Sequence, residues 1–239
     1  MVAPQIVVED WSGRHNNSDY AKRLETARTY EDLSTICIVP TRGLISAKVV
    51  QNWMGMMTPM NQKFTRMFVV GLEVGEAYTQ AINGILQSEE LRTWKYILTL
   101  EEDNLVPPDG LLKLYESIKD FDAVGALYWT KGDDGQPMCY GNPKAVPVNF
   151  IPQVPAVDSI TECNGLGMGF TLFKTQMFLD DKLPKPLFQT KQIYTPGKGV
   201  ECFTQDLYFF QQARALGYRF ACDSRVKVGH YDINTDIVW

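Results

Sequence analysis

Short runs of apolar and β-branched residues alternate along this chain with segments whose apolar residues recur at helical spacing. The runs are TICIVP at 35–40, MFVVGL at 67–72, KYILTL at 95–100 and DAVGALYW at 122–129. After the second run, Tyr78, Ile82 and Ile85 are placed as on one face of a helix. Leu111 and Leu114 have helical spacing after the third run. This repeated order predicts an α/β fold with a mostly parallel central sheet flanked by helices.

The second half of the chain resumes this pattern after a long irregular segment. Prolines and glycines interrupt residues 131–160 repeatedly, which predicts a long loop, and such loops in compact domains are often functional. The later elements that we predict are a strand at 168–174, a helix at 204–217 that ends at Gly217, and final strands within 218–232. The start of the chain lacks the alternation. We therefore expect an N-terminal extension over residues 1–34 and one domain over residues 35–239.

The composition excludes several classes of function. A net charge of −5 and a pI near 5.1 provide no overall attraction to a phosphate backbone or an anionic membrane, so nucleic-acid binding is not indicated by charge. No stretch approaches the ~20 apolar residues of a membrane helix, and the start MVAPQIVVEDW does not resemble a secretion signal. The five cysteines are scattered without a C-x-x-C pair, which argues against a disulfide framework and a thiolate zinc site. We expect a cytoplasmic protein without a membrane span.

Three consecutive acids, Glu101, Glu102 and Asp103, follow directly after the predicted strand at 95–100. In an open parallel sheet, ligands bind outside the carboxyl ends of the strands, so this position suits a binding site. Carboxylates this close repel one another unless a cation lies among them, and hard oxygen ligands favour Mg²⁺ or Mn²⁺. His230, which follows an apolar alternation, would suit a Mn²⁺ site. The alternative is a solvated acidic turn and a histidine bonded to backbone.

Five segments follow one another in an order that is typical of a known enzyme family. They are STICIVPTRG, YILTLEEDNLVPPDGLLKLYESI, ECNGLGMGFTLFKTQMF, TQDLYFFQQARALGYRF and VKVGH, spread over residues 35 to 230. In that order they resemble the nucleotide-contacting loop, the DxD segment, the acceptor-side turn, the ED helix and the late metal-binding histidine of GT-A nucleotide-sugar glycosyltransferases. The resemblance is to the broad family 2 enzymes, whose single domain is Rossmann-like. Two positions depart from the family pattern, because Glu101 replaces the usual first Asp of DxD and Gln205 replaces the Glu of ED.

The resemblance implies a donor site that holds a nucleoside diphosphate sugar, such as a UDP- or GDP-sugar. Asp103 and His230 would bind Mn²⁺ or Mg²⁺. The other positions that the resemblance places at the donor are Pro40, Thr41, Arg42, Glu73, Glu101 and Glu102. Ordinary surface charge is the alternative for Arg42, and a solvated turn for Glu73.

The resemblance also implies an acceptor side and a catalytic base. Asn164, Gly165 and Gly167 lie in the small-residue turn that would line the acceptor, although tight packing also explains such glycines. Asp206 occupies the position of the base that deprotonates the acceptor hydroxyl in an inverting reaction. Its alternative role is structural, because an Asp in the first turn of a helix interacts favourably with the helix dipole. A retaining reaction, which needs no such base, stays open.

The function that we predict is metal-dependent transfer of a sugar from a nucleoside diphosphate sugar to an acceptor hydroxyl. One alternative is a nucleotidyltransferase, but such an enzyme needs a glycine-rich basic loop after the first strand, and PTRGLIS has one glycine and one arginine. The other alternative is a sugar-nucleotide-binding module without turnover. The sequence carries no pattern that identifies the sugar or the acceptor.

Overall fold

A computed structural model describes residues 5–8, 31–197 and 199–239 of the chain. The strands, in chain order, are β1 (Gln5–Val8), β2 (Thr35–Thr41), β3 (Phe64–Val70), β4 (Tyr96–Leu100), β5 (Asn104–Leu105), β6 (Ala123–Leu127), β7 (Cys139–Tyr140), β8 (Ile160–Cys163), β9 (Gly165–Leu166), β10 (Phe170–Lys174), β11 (Lys191–Thr195), β12 (Gly199–Phe203), β13 (Phe220–Lys227), β14 (Gly229–Asp232) and β15 (Ile237–Val238). The helices are α1 (Ala47–Met54), α2 (Val74–Gln87), α3 (Gly110–Ser117), α4 (Thr175–Phe178) and α5 (Gln205–Ala215). Two 3₁₀ turns lie at Leu91–Thr93 and Ile118–Asp120.

The central sheet has eight strands in the order β1-β3-β2-β4-β10-β6-β13-β8. β2 pairs in parallel with β3 and β4, and β6 pairs in parallel with β13. β10 lies antiparallel between β4 and β6, and β1 and β8 are antiparallel strands at the two edges. β2, β3, β4, β6 and β13 therefore share one direction, and the predicted α/β class with a mostly parallel sheet is confirmed.

The direction of β10 follows from where the chain enters it. Residues just before β10 lie at the carboxyl end of β4, because Glu101 donates its backbone N–H to the Gly169 carbonyl at 3.1 Å. The chain therefore enters β10 from that edge of the sheet and runs back between β4 and β6. The strand that the sequence predicts at 168–174 is present, but it is not one of the parallel strands.

Hydrophobic cores lie on both faces of the sheet. Ile36 and Ile38 of β2 belong to the core under α2 and α5, whereas Cys37 and Val39 belong to the core under α1 and α3. Alternate residues of one strand point to opposite faces, so a run that is buried on both sides is apolar throughout, as TICIVP is. The helices on both faces hold the carboxyl ends of the parallel strands at one common edge.

A second small sheet forms at that edge. β14 pairs with β5 and with β15, and the pairing sets His230 opposite Asn104. Because β5 follows β4 after three residues, this pairing brings the end of the chain onto the acidic turn at 101–103.

The predicted boundary at residue 34 stays a prediction. Gln5–Val8 forms β1, which pairs with β3 at the edge of the central sheet, and it lies inside the range that we expect to be an extension. The rest of that range, apart from 31–34, is outside the described residues. None of the helices in the described part of the chain has the length and apolar character that spanning a bilayer requires.

Candidate active site

The carboxyl ends of β2, β4 and β6 lie at the same edge of the sheet, with β10 between β4 and β6, and the β2 and β4 ends carry most of the polar residues that the sequence predicts as a donor site. Thr41 ends β2, and Asp103 belongs to the turn after β4. Lys131 comes four residues after β6, and His230 is held there by the pairing of β14 with β5. The location agrees with the rule that ligands bind outside the carboxyl ends of parallel strands.

Asp103 and His230 are in direct contact. Asp103 Oδ2 and His230 Nε2 are 3.3 Å apart, and the Tyr231 backbone N–H donates to the Asp103 carbonyl at 2.8 Å. The other ring nitrogen, His230 Nδ1, is 2.9 Å from the Trp129 carbonyl oxygen. A carbonyl only accepts, so Nδ1 carries a proton; Nε2 donates to the carboxylate when the ring is doubly protonated and presents a lone pair when it is neutral. Tyr128 packs against the edge of the imidazole at a centroid distance of 5.7 Å and helps to fix it.

This pair fits the ligands of a divalent cation. Metal-binding histidines usually donate their second N–H to a carbonyl or carboxylate, as His230 does to Trp129. Neighbouring ligands of an octahedral ion with bonds of roughly 2.0–2.1 Å lie about 3 Å apart, which is close to the separation of Oδ2 and Nε2. Among the described residues no three His, Cys, Asp or Glu side chains converge as a metal site. Of the described residues, Asp103 and His230 would supply two ligands, and phosphate oxygens and water could supply others, as is usual for Mg²⁺ at phosphate substrates.

Lys131 also binds Asp103. Its Nζ lies 2.6 Å from Oδ2, the same oxygen that faces His230. Burial, the largest single influence, raises the pKa of Asp103, but the bonds from His230 and Lys131 outweigh it and the pKa lies below its ordinary value. Lys131 is not among the site residues predicted from the sequence. The signal was its position just beyond β6, since β6 ends at the same edge of the sheet as β4.

Glu102 connects the acidic turn to the loop after β2. Its Oε2 accepts from the Thr41 hydroxyl at 2.6 Å and from the Arg42 backbone N–H at 2.9 Å, and its Oε1 accepts from Arg42 Nε at 2.6 Å. The Arg42 side chain is 85% exposed, so the rest of the guanidinium faces solvent. Pro40 is buried within β2. Glu102 therefore holds the shape of the predicted nucleotide loop and has no oxygen directed at the Asp103 pair.

Glu101 differs from its two acidic neighbours in protonation. Burial raises the pKa of Glu101 to about 8, and the negative charges of Asp103 and Asp206 act in the same direction. The side chain is therefore mostly neutral near pH 7. The three consecutive acids avoid mutual repulsion because one is neutral, one is bonded to Arg42 and one is bonded to Lys131 and His230.

Asp206 lies at the start of α5 and is 4% exposed. Its Oδ1 accepts from the Leu207 backbone N–H at 2.8 Å and from the Thr204 hydroxyl. Burial raises the pKa of Asp206, and these two hydrogen bonds offset part of the increase. Its charge acts on Glu101, so the structure brings it near the acidic turn.

Glu73 is placed differently from the other predicted donor residues. It is the N-cap of α2, where its Oε2 accepts from the backbone N–H groups of Gly75 at 2.8 Å and Glu76 at 3.1 Å. Its Oε1 lies 3.5 Å from the Thr190 hydroxyl. The Glu73 carboxylate thus caps the N-terminus of α2 through Oε2, and its Oε1 lies near Thr190.

The predicted acceptor-side residues are interior residues that pack the turn before β10. Asn164 is buried, accepts from Arg214 Nε at 3.2 Å and donates to the Asn149 carbonyl at 2.8 Å. Gly165 is close to the Phe150 ring, and a Cβ at Gly167 would overlap the Tyr128 hydroxyl. Packing explains why residues 165 and 167 are glycines. It does not indicate that they contact a ligand.

A groove of about 780 Å³ lies elsewhere on the molecule. Residues of the irregular segment and of the second half of α5 line it, including Phe150, Ile151, Gln211 and Arg214. None of its lining residues is Asp103, Asp206 or His230, so the groove is separate from the carboxyl-edge site.

No protein-family model matches the chain, and no curated protein matches it. Solved structures do match its fold. A197 from STIV has a TM-score of 0.58 and 18% identity, over 83% of this chain and 86% of that one. GalNAc-T7 with UDP, GalNAc and Mn²⁺ has a TM-score of 0.52 and 10% identity, over 84% of this chain. The chain spans 44% of the length of that GalNAc-T7 chain. TarS 1–349 of S. aureus with UDP-GlcNAc has a TM-score of 0.47 and 12% identity, over 81% of this chain and 58% of that one.

These matches bear on the fold. At 18% and 10% identity, the likeness to A197 and GalNAc-T7 shows a shared architecture and does not by itself assign an activity. The predicted GT-A fold class is confirmed, while the family 2 assignment, the reaction and the roles of the site residues stay predictions.

Proposed function

We propose that this protein is a metal-dependent glycosyltransferase that moves a sugar from a nucleoside diphosphate sugar to an acceptor hydroxyl, with inversion and with Asp206 as the base. The observation that carries the proposal is the Asp103–His230 pair, whose Oδ2 and Nε2 lie 3.3 Å apart at the carboxyl edge of a GT-A sheet. A protein of similar fold was crystallised with UDP, GalNAc and Mn²⁺. We also propose a family 2-like domain over residues 35–239 preceded by an extension.

The donor half of the site must stabilise the negative charge of the diphosphate. When bound by Asp103 and His230, a Mn²⁺ or Mg²⁺ ion supplies a Lewis acid for the charge that develops on the departing diphosphate. Lys131 places a second positive group next to Asp103, and the exposed guanidinium of Arg42 lies on the neighbouring loop. Glu102 keeps this loop in place through its three hydrogen bonds to Thr41 and Arg42. Both cationic side chains suit an anionic substrate.

The acceptor half needs a group that removes a proton from a hydroxyl. Asp206 suits this role because burial raises its pKa, which makes it a stronger base than an ordinary aspartate. The hydrogen bonds to Oδ1 from Thr204 and Leu207 fix the carboxylate and leave Oδ2 for the acceptor proton. Inversion follows when the deprotonated hydroxyl attacks the anomeric carbon from the side opposite the diphosphate.

The test is a measurement of nucleotide release. Purified protein is incubated with Mn²⁺ and a panel of UDP-, GDP- and dTDP-sugars, with and without candidate acceptors. We expect one nucleoside diphosphate to be released, and Asp103→Ala to lower the rate by roughly 10²- to 10³-fold, since several kcal/mol of charge stabilisation are lost.

The matched control is Asp109→Ala, because Asp109 is another acid of the segment after β4 and its partner is Lys113, at 2.8 Å. Circular dichroism checks that both variants fold. Equal activity of the Asp103→Ala and Asp109→Ala variants would contradict the assignment. Pyrophosphate as the product would indicate a nucleotidyltransferase, and binding without release would indicate a sugar-nucleotide-binding module.

A further inference from the structure

Lys131 lies where an incoming metal ion would be repelled. Its Nζ is 2.6 Å from Asp103 Oδ2, the oxygen that would also bind the metal together with His230. The Lys131 side chain is 34% exposed and that of Asp103 27%, so solvent screens the pair only in part. An ammonium and a divalent cation on one carboxylate oxygen would be separated by only a few ångströms. Their repulsion means that Lys131 must move before Asp103 can bind a metal ion.

The ammonium of Lys131 can move without disturbing its backbone. The segment around it is a tight reversal, in which Trp129 bridges Pro137 and Thr130 donates its backbone N–H to the Gln136 carbonyl at 2.9 Å. The four-carbon stem of a lysine lets Nζ change partners while its Cα stays fixed. A diphosphate at this edge would offer such a partner, because lysine is a common phosphate ligand.

We propose that Lys131 neutralises Asp103 in the donor-free protein and passes to the donor diphosphate when the metal binds, so that metal and nucleotide bind cooperatively. The inference rests on the proposed function, because it requires that Asp103 and His230 bind a metal. Metal alone must displace Lys131 from its ion pair, whereas metal with a nucleoside diphosphate gives Lys131 a new anionic partner. By linkage, each ligand strengthens the binding of the other by the same factor.

The experiment measures Mn²⁺ affinity without turnover. Free Mn²⁺ is quantified by electron paramagnetic resonance while the protein is titrated, with and without UDP. The variants are Lys131→Met, which keeps much of the length but removes the charge, and Lys131→Arg, which keeps the charge. Lys144→Met is the matched control, an exposed lysine of the same irregular segment.

We expect Mn²⁺ alone to bind about tenfold more tightly to Lys131→Met than to wild type, a factor within the usual range for coupled sites. UDP should strengthen Mn²⁺ binding in all four proteins, because its phosphate oxygens also bind the metal, but the factor should be several-fold smaller in Lys131→Met than in wild type, Lys131→Arg and Lys144→Met. Equal or weaker Mn²⁺ binding by Lys131→Met, or an unchanged effect of UDP, would overturn the role of Lys131.

The same titrations separate this inference from the proposed function. If wild type binds Mn²⁺ and Asp103→Ala does not, the metal site stands whatever Lys131→Met shows. If neither wild type nor Lys131→Met binds Mn²⁺ even with UDP, the metal-dependent function itself is contradicted, and the role of Lys131 with it.

Discussion

The hydroxyl group of Thr204 donates a hydrogen bond to Asp206 and not to the backbone of the helix that Thr204 precedes. It is the N-cap residue of α5, yet its side chain makes no capping bond to a backbone N–H and instead donates to Asp206 Oδ1. A donor on the charged form of a carboxyl stabilises that form, so Thr204 keeps the pKa of Asp206 lower than burial alone would set it. If Asp206 is the base, as proposed above, Thr204 is its positioning residue.

Replacing Thr204 by Val should therefore change how the rate depends on pH. A base acts only when deprotonated, and loss of the hydroxyl raises the pKa of Asp206 further. The acid limb of the kcat/KM profile should move to higher pH, with a rate loss of roughly tenfold at the acid end and recovery toward alkaline pH. Thr204→Ser keeps a hydroxyl and should follow wild type. Coincident profiles for wild type and Thr204→Val would count against both the contact and the assignment of Asp206.

At the scale of single residues, part of the site can be predicted from the sequence. Asp103 and His230 are suggested by residue type, by their positions after strands and by family resemblance. Their contact depends on the pairing of β5 with β14, which brings together residues that are more than a hundred positions apart in the sequence. Lys131 is not among the predicted residues, because its position just beyond β6 places it at this edge of the sheet but does not show whether a loop lysine pairs with Asp103 or is exposed to water. Glu102 is predicted as a donor residue, but its bonds to Thr41 and Arg42 could not be predicted, since these residues lie at the end of a different strand.

Among the elements, the longer apolar strands are predictable, whereas the helices α1 and α4 and the short strands are not predicted. β2, β4 and β6 are apolar runs buried on both sides, and such runs mark parallel strands. No capping or charge pattern in the sequence predicts α1. Its cap Ser46 makes no side-chain bond, and its first turn contains no acid. Tertiary contacts stabilise it instead, including the indole N–H of Trp53, which donates to the Asn104 carbonyl at 2.8 Å.

The irregular segment and the turn before β10 are joined through a glycine that no other residue replaces well. Gly141 has a φ of +71°, donates its N–H to the Ile151 carbonyl at 2.8 Å and accepts from Gln153 Nε2 at 2.8 Å. A Cβ at this position would overlap the Asn149 carbonyl oxygen, which also accepts from Asn164. The backbones approach so closely that both the conformation and the space require glycine.

Gly141→Ala should lower the free energy of unfolding by about 2 to 4 kcal/mol, because a left-handed conformation and a backbone overlap are both unfavourable for alanine. The matched control is Gly84→Ala, at an exposed position of α2 where a Cβ meets nothing within 4 Å. That change should raise the free energy of unfolding by roughly 0.5–1 kcal/mol, because alanine is the better helix former. Urea unfolding measures both. A Gly141→Ala variant as stable as wild type would contradict the close approach.

At the scale of the whole molecule, the aromatic core packs against the helix that carries Asp206, the proposed base. The rings of Phe173, Phe178, Phe188, Phe209 and Phe210 form a connected cluster between the sheet, α4, α5 and the segment before β11. Phe209 is central to it, stacking on Phe188 with centroids 4.6 Å apart and on Phe178 at 5.6 Å. It follows Asp206 by three residues, so it lies one helical turn along α5. The packing of Phe209 therefore sets the position of the first turn of α5 against the sheet.

Phe209→Ala should reduce the free energy of unfolding by about 3 to 5 kcal/mol, as for other large buried aromatic side chains that leave a cavity. Gln211→Ala, an exposed position of the same helix, should change it by less than about 0.5 kcal/mol. Where Phe209→Ala remains folded, we expect kcat to fall more than the affinity for UDP, because the proposed base Asp206 lies on α5, whereas most of the proposed donor residues lie on β2 and in the turns after β2 and β4. Urea unfolding and isothermal titration with UDP measure the two effects. Loss of UDP affinity equal to the loss of kcat would mean that the core supports the whole site and not the base in particular.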